Sequence, residues 1–259
     1  MLPHYHSLKT FFIIPQIMNI QEAILNYLKY TGHKEIHIST ALIDMDGVLY
    51  DSMKNHTRAW HKLMTKNGIK CTRDEFYSYE GMTGADIIKQ LFRQRAGKVV
   101  TSDEAAALYQ VKSRYFRELG EPQIITGTPQ MLLTLKDNNI KRILVTGSGQ
   151  QSVLDKIDSD FPGIFAPERI TAADVTHGKP NPEPYLKAML KAQVKPFQAM
   201  VIENAPLGVQ AGHAAGCFTI GITTGPIPPK ELAKAGADLV FPSMADFARE
   251  LPQLLPSLI

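Results

Sequence analysis

Two aspartates at alternate positions end an apolar run close to residue 44. The run at 41–43 is followed by Asp44 and Asp46, and Gly47 comes next. In an extended strand, residues two apart point to the same side, so the two carboxyl groups are predicted to share one face where the chain turns. Neighbouring carboxylates indicate either a divalent-metal site or a nucleophile beside a general acid. An aspartate-rich turn without chemistry is the alternative.

Polar residues also follow three further predicted strands. Thr146 begins a Gly/Ser turn that offers a hydroxyl group and backbone amides for phosphate oxygens, although a plain turn is the alternative. Lys179 lies in a proline-rich segment that fixes its direction, which suits neutralising a phosphoryl group or steadying a carboxylate. Glu203 and Asn204 end another apolar run, and their oxygens suit Mg²⁺. The four strand ends together indicate a phosphate site with a metal ion.

The elements that must position these residues alternate between strands and helices from residue 126 onward. This alternation predicts an α/β fold with a parallel sheet and helices on both faces. The predicted strands are 39–45, 142–146, 169–173, 199–203, 218–222 and 238–241. Because ligands bind at the carboxyl ends of strands in such sheets, we expect the polar residues to meet at one edge.

The segment from 52 to 125 has a different pattern, with helical periodicity and no convincing strand. Its apolar stripes are typical of the packing faces of a small helical bundle. We therefore predict a helical cap at 52–125, inserted into a core made of 18–51 and 126–259. A further amphipathic helix is predicted from Ile20, and residues 1–17 are predicted to be a disordered extension.

Composition excludes several functional classes. The chain has 259 residues, of which 44% are hydrophobic and 20% charged, enough to bury a full core. The net charge is only +3 and the basic residues are scattered, so no nucleic-acid partner is expected. The apolar patch at 11–14 is too short to cross a membrane. Cys71 and Cys217 form no metal or disulfide motif, which fits the cytoplasm, and we expect a monomer.

The four strand ends resemble the four motifs of the haloacid dehalogenase (HAD) superfamily of phosphotransferases. The resemblance spans Ile43 to about Gly225 and includes D-x-D-G at 44–47 and the lysine of K-P-x-P at 179–182. With Gly208 and the small residues that follow it, the chain looks like the β-phosphoglucomutase-like branch. That branch has a Rossmann-like parallel-sheet core and a helical cap inserted directly after the first strand, as predicted above.

The resemblance implies a role for each motif residue. Asp44 would be the nucleophile that forms an aspartyl-phosphate, and Asp46 the general acid and base. Thr146 and Lys179 would hold the transferring phosphoryl group. Mg²⁺ would be bound by the Asp44 carboxylate, the Asp46 carbonyl oxygen and the side chains of the fourth motif. Substrate-binding positions would be Gly147, Ser148, Lys112 and His56, the last two by their places in the cap.

Two departures from the family pattern suggest the substrate. The fourth motif usually carries two acids, whereas this chain has Asn204 in the second position, and the cap loop carries Glu80 in place of a lysine. Position 84 is a glycine in this chain, whereas the corresponding position of the cap loop in β-phosphoglucomutases is typically an arginine. These features look like the inorganic-pyrophosphatase members of the branch, in which a cap glutamate joins the metal shell. We therefore expect pyrophosphate as the substrate, with β-phosphoglucomutase or small sugar-phosphate phosphatase activity as the alternative, and a non-catalytic phosphate-binding protein as a third.

Overall fold

The helices and strands follow the alternation seen in the sequence. The computed structural model describes residues 20–149, 151–165 and 167–259, so the extension predicted at 1–17 lies outside the described residues. The strands are β1 (Thr40–Ile43), β2 (Lys141–Val145), β3 (Arg169–Ile170), β4 (Ala199–Glu203), β5 (Phe218–Ile222) and β6 (Leu239–Phe241). The helices are α1 (Ile20–Thr31), α2 (Met53–Lys66), α3 (Gly84–Ala96), α4 (Ser102–Arg117), α5 (Thr128–Asp137), α6 (Gln151–Asp160), α7 (Glu183–Ala192), α8 (Pro206–Ala214), α9 (Pro229–Lys234) and α10 (Met244–Leu254).

The strands within these ranges form one parallel sheet of six, in the order β3-β2-β1-β4-β5-β6. Strand β1 lies in the centre, where Ile43 pairs with Leu144 of β2 and with Ile202 of β4. Every residue of β1, β4 and β5 is buried, as expected for strands covered by helices on both faces. The strand order reverses between β1 and β4, and this reversal places a ligand crevice at their carboxyl ends. The predicted parallel α/β fold is confirmed.

Strand boundaries lie within two residues of the predicted ones except at β3. The observed β4 and β5 have the predicted bounds, whereas β3 ends at Ile170 instead of residue 173. The prediction was too long because Thr171 caps a 3₁₀ turn at Ala172–Asp174: its hydroxyl oxygen accepts a hydrogen bond from the Ala173 N–H. An apolar run alone does not reveal such a cap.

Helices α2, α3 and α4 lie between β1 and β2 in the chain and share an apolar cluster of their own. The cluster includes Trp60, Leu63, Ile88 and Leu91, as expected from the apolar stripes of this segment. The Thr83 hydroxyl caps α3 and a capping box at Thr101 begins α4. We propose that these helices form a separate cap domain over 52–125, with the core at 18–51 and 126–259.

Helix α1 begins at Ile20 as predicted, and it packs Ala23, Ile24 and Tyr27 into the main core cluster. The described ranges contain no helix that is both long and apolar enough to span a membrane.

Candidate active site

The aspartate pair lies where β1 leaves the sheet. The Asp44 N–H donates to the Ile202 carbonyl at 3.1 Å, which continues the sheet pairing by one residue and fixes the nucleophile candidate at the strand end. The chain then turns at Gly47, whose φ of +77° lies in the region that favours glycine. Asp44 is buried and Asp46 is half-buried. The alternate spacing therefore delivers both side chains to the crevice, but into different surroundings.

Asp44 forms an ion pair with Lys179. The Lys179 ammonium group donates to Asp44 Oδ1 at 2.5 Å and to Glu203 Oε1 at 2.6 Å. Burial alone would lower the pKa of Lys179, but the two carboxylates raise it above its ordinary value. Lys179 therefore remains charged in the crevice, available to a phosphoryl group on Asp44.

The Glu203 carboxylate is held by hydrogen bonds within the core. In addition to Lys179, its Oε1 atom accepts from the Tyr185 hydroxyl at 2.8 Å, and its Oε2 atom accepts from the N–H groups of Asn204 and Ala205. These bonds use most of the acceptor capacity of the carboxylate. Glu203, which the sequence indicated only as an oxygen ligand, thus holds Lys179 in place. Sequence reasoning missed this role and the part of Tyr185, because the partners come from different elements.

Asp46 is linked to the cap through a histidine. Asp46 Oδ1 lies 3.1 Å from His56 Nε2, and His56 Nδ1 lies 2.5 Å from the Lys112 amine. Burial would raise the pKa of Asp46, but His56, a hydrogen bond from Ser52 and the charge of Lys112 together lower it to about 2. Burial lowers the pKa of Lys112 to about 7. Of the predicted cap residues, His56 therefore contacts the predicted acid and base directly, and Lys112 is linked to it through His56.

The turn after β2 lies under the cap loop. The Ser148 N–H donates to the Thr146 hydroxyl oxygen at 3.0 Å, and both residues are buried. A Cβ atom added to Gly147 would lie 3.0 Å from the carbonyl oxygens of Gly81 and Met82. The absence of a side chain at 147 thus allows the cap loop to approach the predicted phosphate-binding turn.

Glu80 and Asn204 meet across the boundary between cap and core. The Asn204 amide donates to Glu80 Oε1 at 2.7 Å, and both residues are buried. Burial first, and then the carboxylates Asp44, Glu203 and Asp46, raise the pKa of Glu80 well above its ordinary value, although the bond from Asn204 opposes the rise. A cation would relieve this repulsion.

The oxygen atoms in this region are of the types that bind Mg²⁺. Oδ1 of Asn204 is buried and has no hydrogen-bond partner in the described part of the chain, as expected of an oxygen available to a metal ion. Carboxylate, amide and carbonyl oxygens are the ligands that Mg²⁺ prefers. Across residues 20–149, 151–165 and 167–259, no three His, Cys, Asp or Glu side chains are grouped to hold a metal ion. The candidate set, Asp44, Asp46, Glu80 and Asn204, thus depends on the amide and on the carbonyl oxygen of Asp46.

A cavity of about 60 Å³ lies between these groups, which is space for a few water-sized groups. Its polar lining consists of residues predicted from the sequence: Asp44, Asp46, His56, Glu80, Lys112, Gly147 and Ser148. Thr146, Lys179 and Asn204 do not line it, but each is hydrogen-bonded to a residue that does. The structure therefore brings all the predicted site residues together.

One wall of the cavity was not predicted. It is aromatic and apolar, and includes Trp60, Phe76 and Tyr109. A Cβ atom at Gly84 would lie 2.1 Å from the Tyr109 ring, so the ring occupies the space that a side chain at position 84 would need. The unusual Gly84 was visible in the sequence, but its partner on α4 was not, since the contact depends on how α3 and α4 pack.

Known proteins are similar to this chain in sequence and in fold. The chain is 28% identical to β-phosphoglucomutase of Bacillus subtilis, over 83% of this chain and 93% of that protein. It is 31% identical to hexitol phosphatase A of Escherichia coli, over 70% and 81% of the two chains. A solved structure from Bacteroides vulgatus, provisionally named a β-phosphoglucomutase, is 45% identical, covers 92% of this chain and 98% of its own, and superposes with a TM-score of 0.88. Residues 41–222 match the haloacid dehalogenase-like hydrolases, and the chain belongs to that family.

Proposed function

We propose that this protein is a Mg²⁺-dependent phosphohydrolase that acts through an aspartyl-phosphate. An Asp44 oxygen attacks phosphorus, and the bond from phosphorus to the leaving oxygen breaks while Lys179 balances the charge of the phosphoryl group. The leaving oxygen takes its proton through Asp46, which is itself ionised and passes on a proton drawn from Lys112 by way of His56. Water then attacks the same phosphorus, Asp46 accepts its proton, and the bond to Asp44 breaks. A bound Mg²⁺ would shield the nucleophile from the charge of the phosphate.

The low pKa of Asp46 keeps its carboxylate ionised at neutral pH, which is the form that the second step requires. His56 fixes the direction of that carboxylate through its hydrogen bond. Thr146 and the turn at Gly147 and Ser148 lie at the end of β2, beside the nucleophile, where they can bind the oxygens of the phosphoryl group.

We further propose inorganic pyrophosphate as the substrate, and the observation that carries this choice is the small cavity. Glu80 and Tyr109 line this cavity of about 60 Å³, and much of its wall is aromatic and apolar. Hydroxyl groups of a sugar would find few partners there, and unpaired buried hydroxyls are costly. Lys112, in contrast, presents a positive charge to a second phosphoryl group.

Sugar phosphates are the second candidate. The proteins named above as relatives include a β-phosphoglucomutase and a hexitol phosphatase, and their names favour a sugar phosphate over pyrophosphate. The core residues Asp44, Asp46, Thr146 and Lys179 serve either substrate equally well. The choice therefore depends on the cap.

A substrate panel decides between the candidates. With Mg²⁺, we expect kcat/KM for pyrophosphate to exceed that for β-glucose 1-phosphate and small sugar phosphates by about tenfold or more. A reversed order would make the protein a sugar-phosphate enzyme.

Asp44→Asn should reduce turnover by about a thousandfold or more without loss of folding, measured by thermal melting. Tight binding of phosphate without turnover of any substrate would instead indicate a non-catalytic phosphate-binding protein.

A further inference from the structure

The cap loop lies directly on the core, and glycines of the core stand at two of the closest approaches. A Cβ atom added to Gly147 would lie 3.0 Å from carbonyl oxygens of the loop. One added to Gly178 would lie 2.8 Å from Thr83 Cγ2 and 2.9 Å from the Thr83 backbone nitrogen. The cap therefore reaches this position only because the core presents no side chain at these two points.

Gly178 is the point at which this contact can be changed by itself. It is half-buried and precedes Lys179, whereas Gly147 belongs to the predicted phosphate-binding turn. The φ angle of Gly178 lies outside the left-handed region that favours glycine, so an alanine would need no unusual backbone conformation. What limits the residue at 178 is therefore the space beside Thr83.

Thr83 is held in place and cannot move aside by itself. Its hydroxyl oxygen accepts from the Asp86 N–H at 3.2 Å, and its hydroxyl group donates to Asp86 Oδ2 at 2.6 Å, which caps the start of α3. Rotation of the side chain would clear the Cγ2 atom but not the backbone nitrogen. A side chain at 178 must therefore push apart the start of α3 and the core segment that carries it.

The core segment is braced against such a movement. The Glu183 carboxylate accepts from the N–H groups of Thr176 and His177, at 2.8 Å each. Beyond the contact, the Asn181 N–H donates to the Gly178 carbonyl oxygen at 3.1 Å. The displacement is therefore expected to fall mainly on the cap.

Glu80 shares that displacement, because it lies three residues before Thr83 in a short turn. The Met82 N–H donates to the Tyr79 carbonyl oxygen at 3.1 Å, which closes the turn around Glu80. Ligand distances in a metal site lie within about 0.2 Å of their ideal values. A shift at Thr83 is thus large enough to withdraw Glu80 from the ion.

We propose that Gly178 is a positioning residue for the metal site: its missing side chain lets the start of α3 seat on the core and so brings Glu80 to the ion. Gly178 itself supplies no ligand. The proposal rests on the proposed function in one respect, that Glu80 is a ligand of Mg²⁺.

The test compares two changes from glycine to alanine. Gly178→Ala adds the clashing methyl group, whereas Gly225→Ala adds the same group after β5, where no atom lies within 4 Å of it and φ is again outside the left-handed region. Mg²⁺ is titrated by calorimetry into metal-free protein in the presence of inorganic phosphate, and thermal melting without metal checks that both variants fold. We expect the Kd for Mg²⁺ to rise about tenfold or more in Gly178→Ala and to stay within about twofold of wild type in Gly225→Ala.

A double mutant identifies the route of the effect. In the Glu80→Ala background, Gly178→Ala should change the Kd for Mg²⁺ by less than about twofold, because the group that it displaces is already absent. A full additional loss would mean that Gly178 acts elsewhere, for example through its neighbour Lys179, and would overturn the proposal.

Two other results would also overturn it. One is an unchanged Kd in Gly178→Ala. The other is an unchanged Kd in Glu80→Ala, since Glu80 would then not be a ligand. If the titrations give the expected values but no substrate of the panel is hydrolysed, the proposed function alone fails, and the role of Gly178 in metal binding stands.

Discussion

At the scale of single residues, the two aspartates of the D-x-D-G motif differ because of their neighbours. Asp44 lies against the charged Lys179, whereas Asp46 lies against His56 at the edge of the cap. A residue paired with a lysine inside the core stays in place, and one bonded to a cap residue is exposed to cap movement. This difference supports the proposal that Asp44 is the nucleophile and Asp46 the acid and base.

Lys112 gives the first prediction, which concerns pH. Its pKa is lowered to about 7, so in the free protein its charge is present below that pH and lost above it. If Lys112 binds the second phosphoryl group, kcat/KM for pyrophosphate falls as the pH rises through about 7. Lys112→Arg keeps its charge and should move this fall to higher pH, measured from about pH 6 to about pH 9. Lys62→Arg, on the cap surface, is the control. A fall that is identical in Lys112→Arg and wild type would exclude this role for Lys112.

At the scale of elements, the packing of α3 against α4 sets the size of the cavity. Tyr109 of α4 can lie over the start of α3 only because residue 84 is a glycine. Tyr109→Ala should therefore enlarge the cavity and reduce the preference for pyrophosphate over β-glucose 1-phosphate by about tenfold. The ratio of the two kcat/KM values measures it. Tyr115→Ala removes a ring from the same helix under Lys62 and should leave the ratio unchanged. If both variants keep the wild-type ratio, Tyr109 does not control substrate size.

The start of β6 carries a prediction about stability. Asp238 accepts a hydrogen bond from the Thr219 N–H at 2.7 Å, and burial raises its pKa from 3.8 to about 7. Between these values the unfolded chain has released its proton and the folded chain has kept it, so stability falls as the pH rises from about 4 to about 7. Asp238→Asn keeps an acceptor for Thr219 and removes this loss. We expect it to stabilise the protein by roughly 2 kcal/mol at pH 8 and by almost nothing near pH 4. Thermal melting at the two pH values measures the difference, and an equal gain at both would contradict this assignment.

At the scale of the whole molecule, the proposed metal site would draw on both the proposed cap and the core. Glu80 comes from the cap and Asn204 from the core, and they meet at 2.7 Å. If Glu80 replaces the carboxylate that Asn204 lacks, Mg²⁺ also holds the cap against the core. The cation then links chemistry to the position of the cap.

Removing the Glu80 carboxylate should weaken metal binding without destabilising the metal-free fold. We expect Glu80→Ala to raise the Mg²⁺ concentration needed for half-maximal activity by about tenfold or more. It should also reduce the increase in melting temperature that Mg²⁺ causes, since a weaker ligand stabilises less. Without metal the variant should melt close to wild type, because the loss of a poorly solvated carboxyl group and the loss of its hydrogen bond from Asn204 oppose each other. Glu75→Ala removes a cap acid that pairs with Arg95 and serves as control. An unchanged metal dependence would remove Glu80 from the metal shell.

The sequence by itself determined the core fold and the chemistry brought to it. Apolar runs ending in polar residues report on the local backbone, and in a parallel sheet all such ends meet at one edge, so Asp44, Thr146, Lys179 and Asn204 could be placed together in advance. The same reasoning overextended β3, because a cap by Thr171 depends on one side-chain bond and leaves no periodic pattern.

The tertiary structure alone decided which side chains touch. Three contacts join residues from different elements. They are Glu203 with Lys179 and Tyr185, His56 with Asp46 and Lys112, and Tyr109 with Gly84. Such contacts depend on how the cap packs on the core and how helices cross, which no local spacing encodes. The phosphate chemistry was therefore readable from the order of residues, whereas the small cavity exists only in the packed molecule.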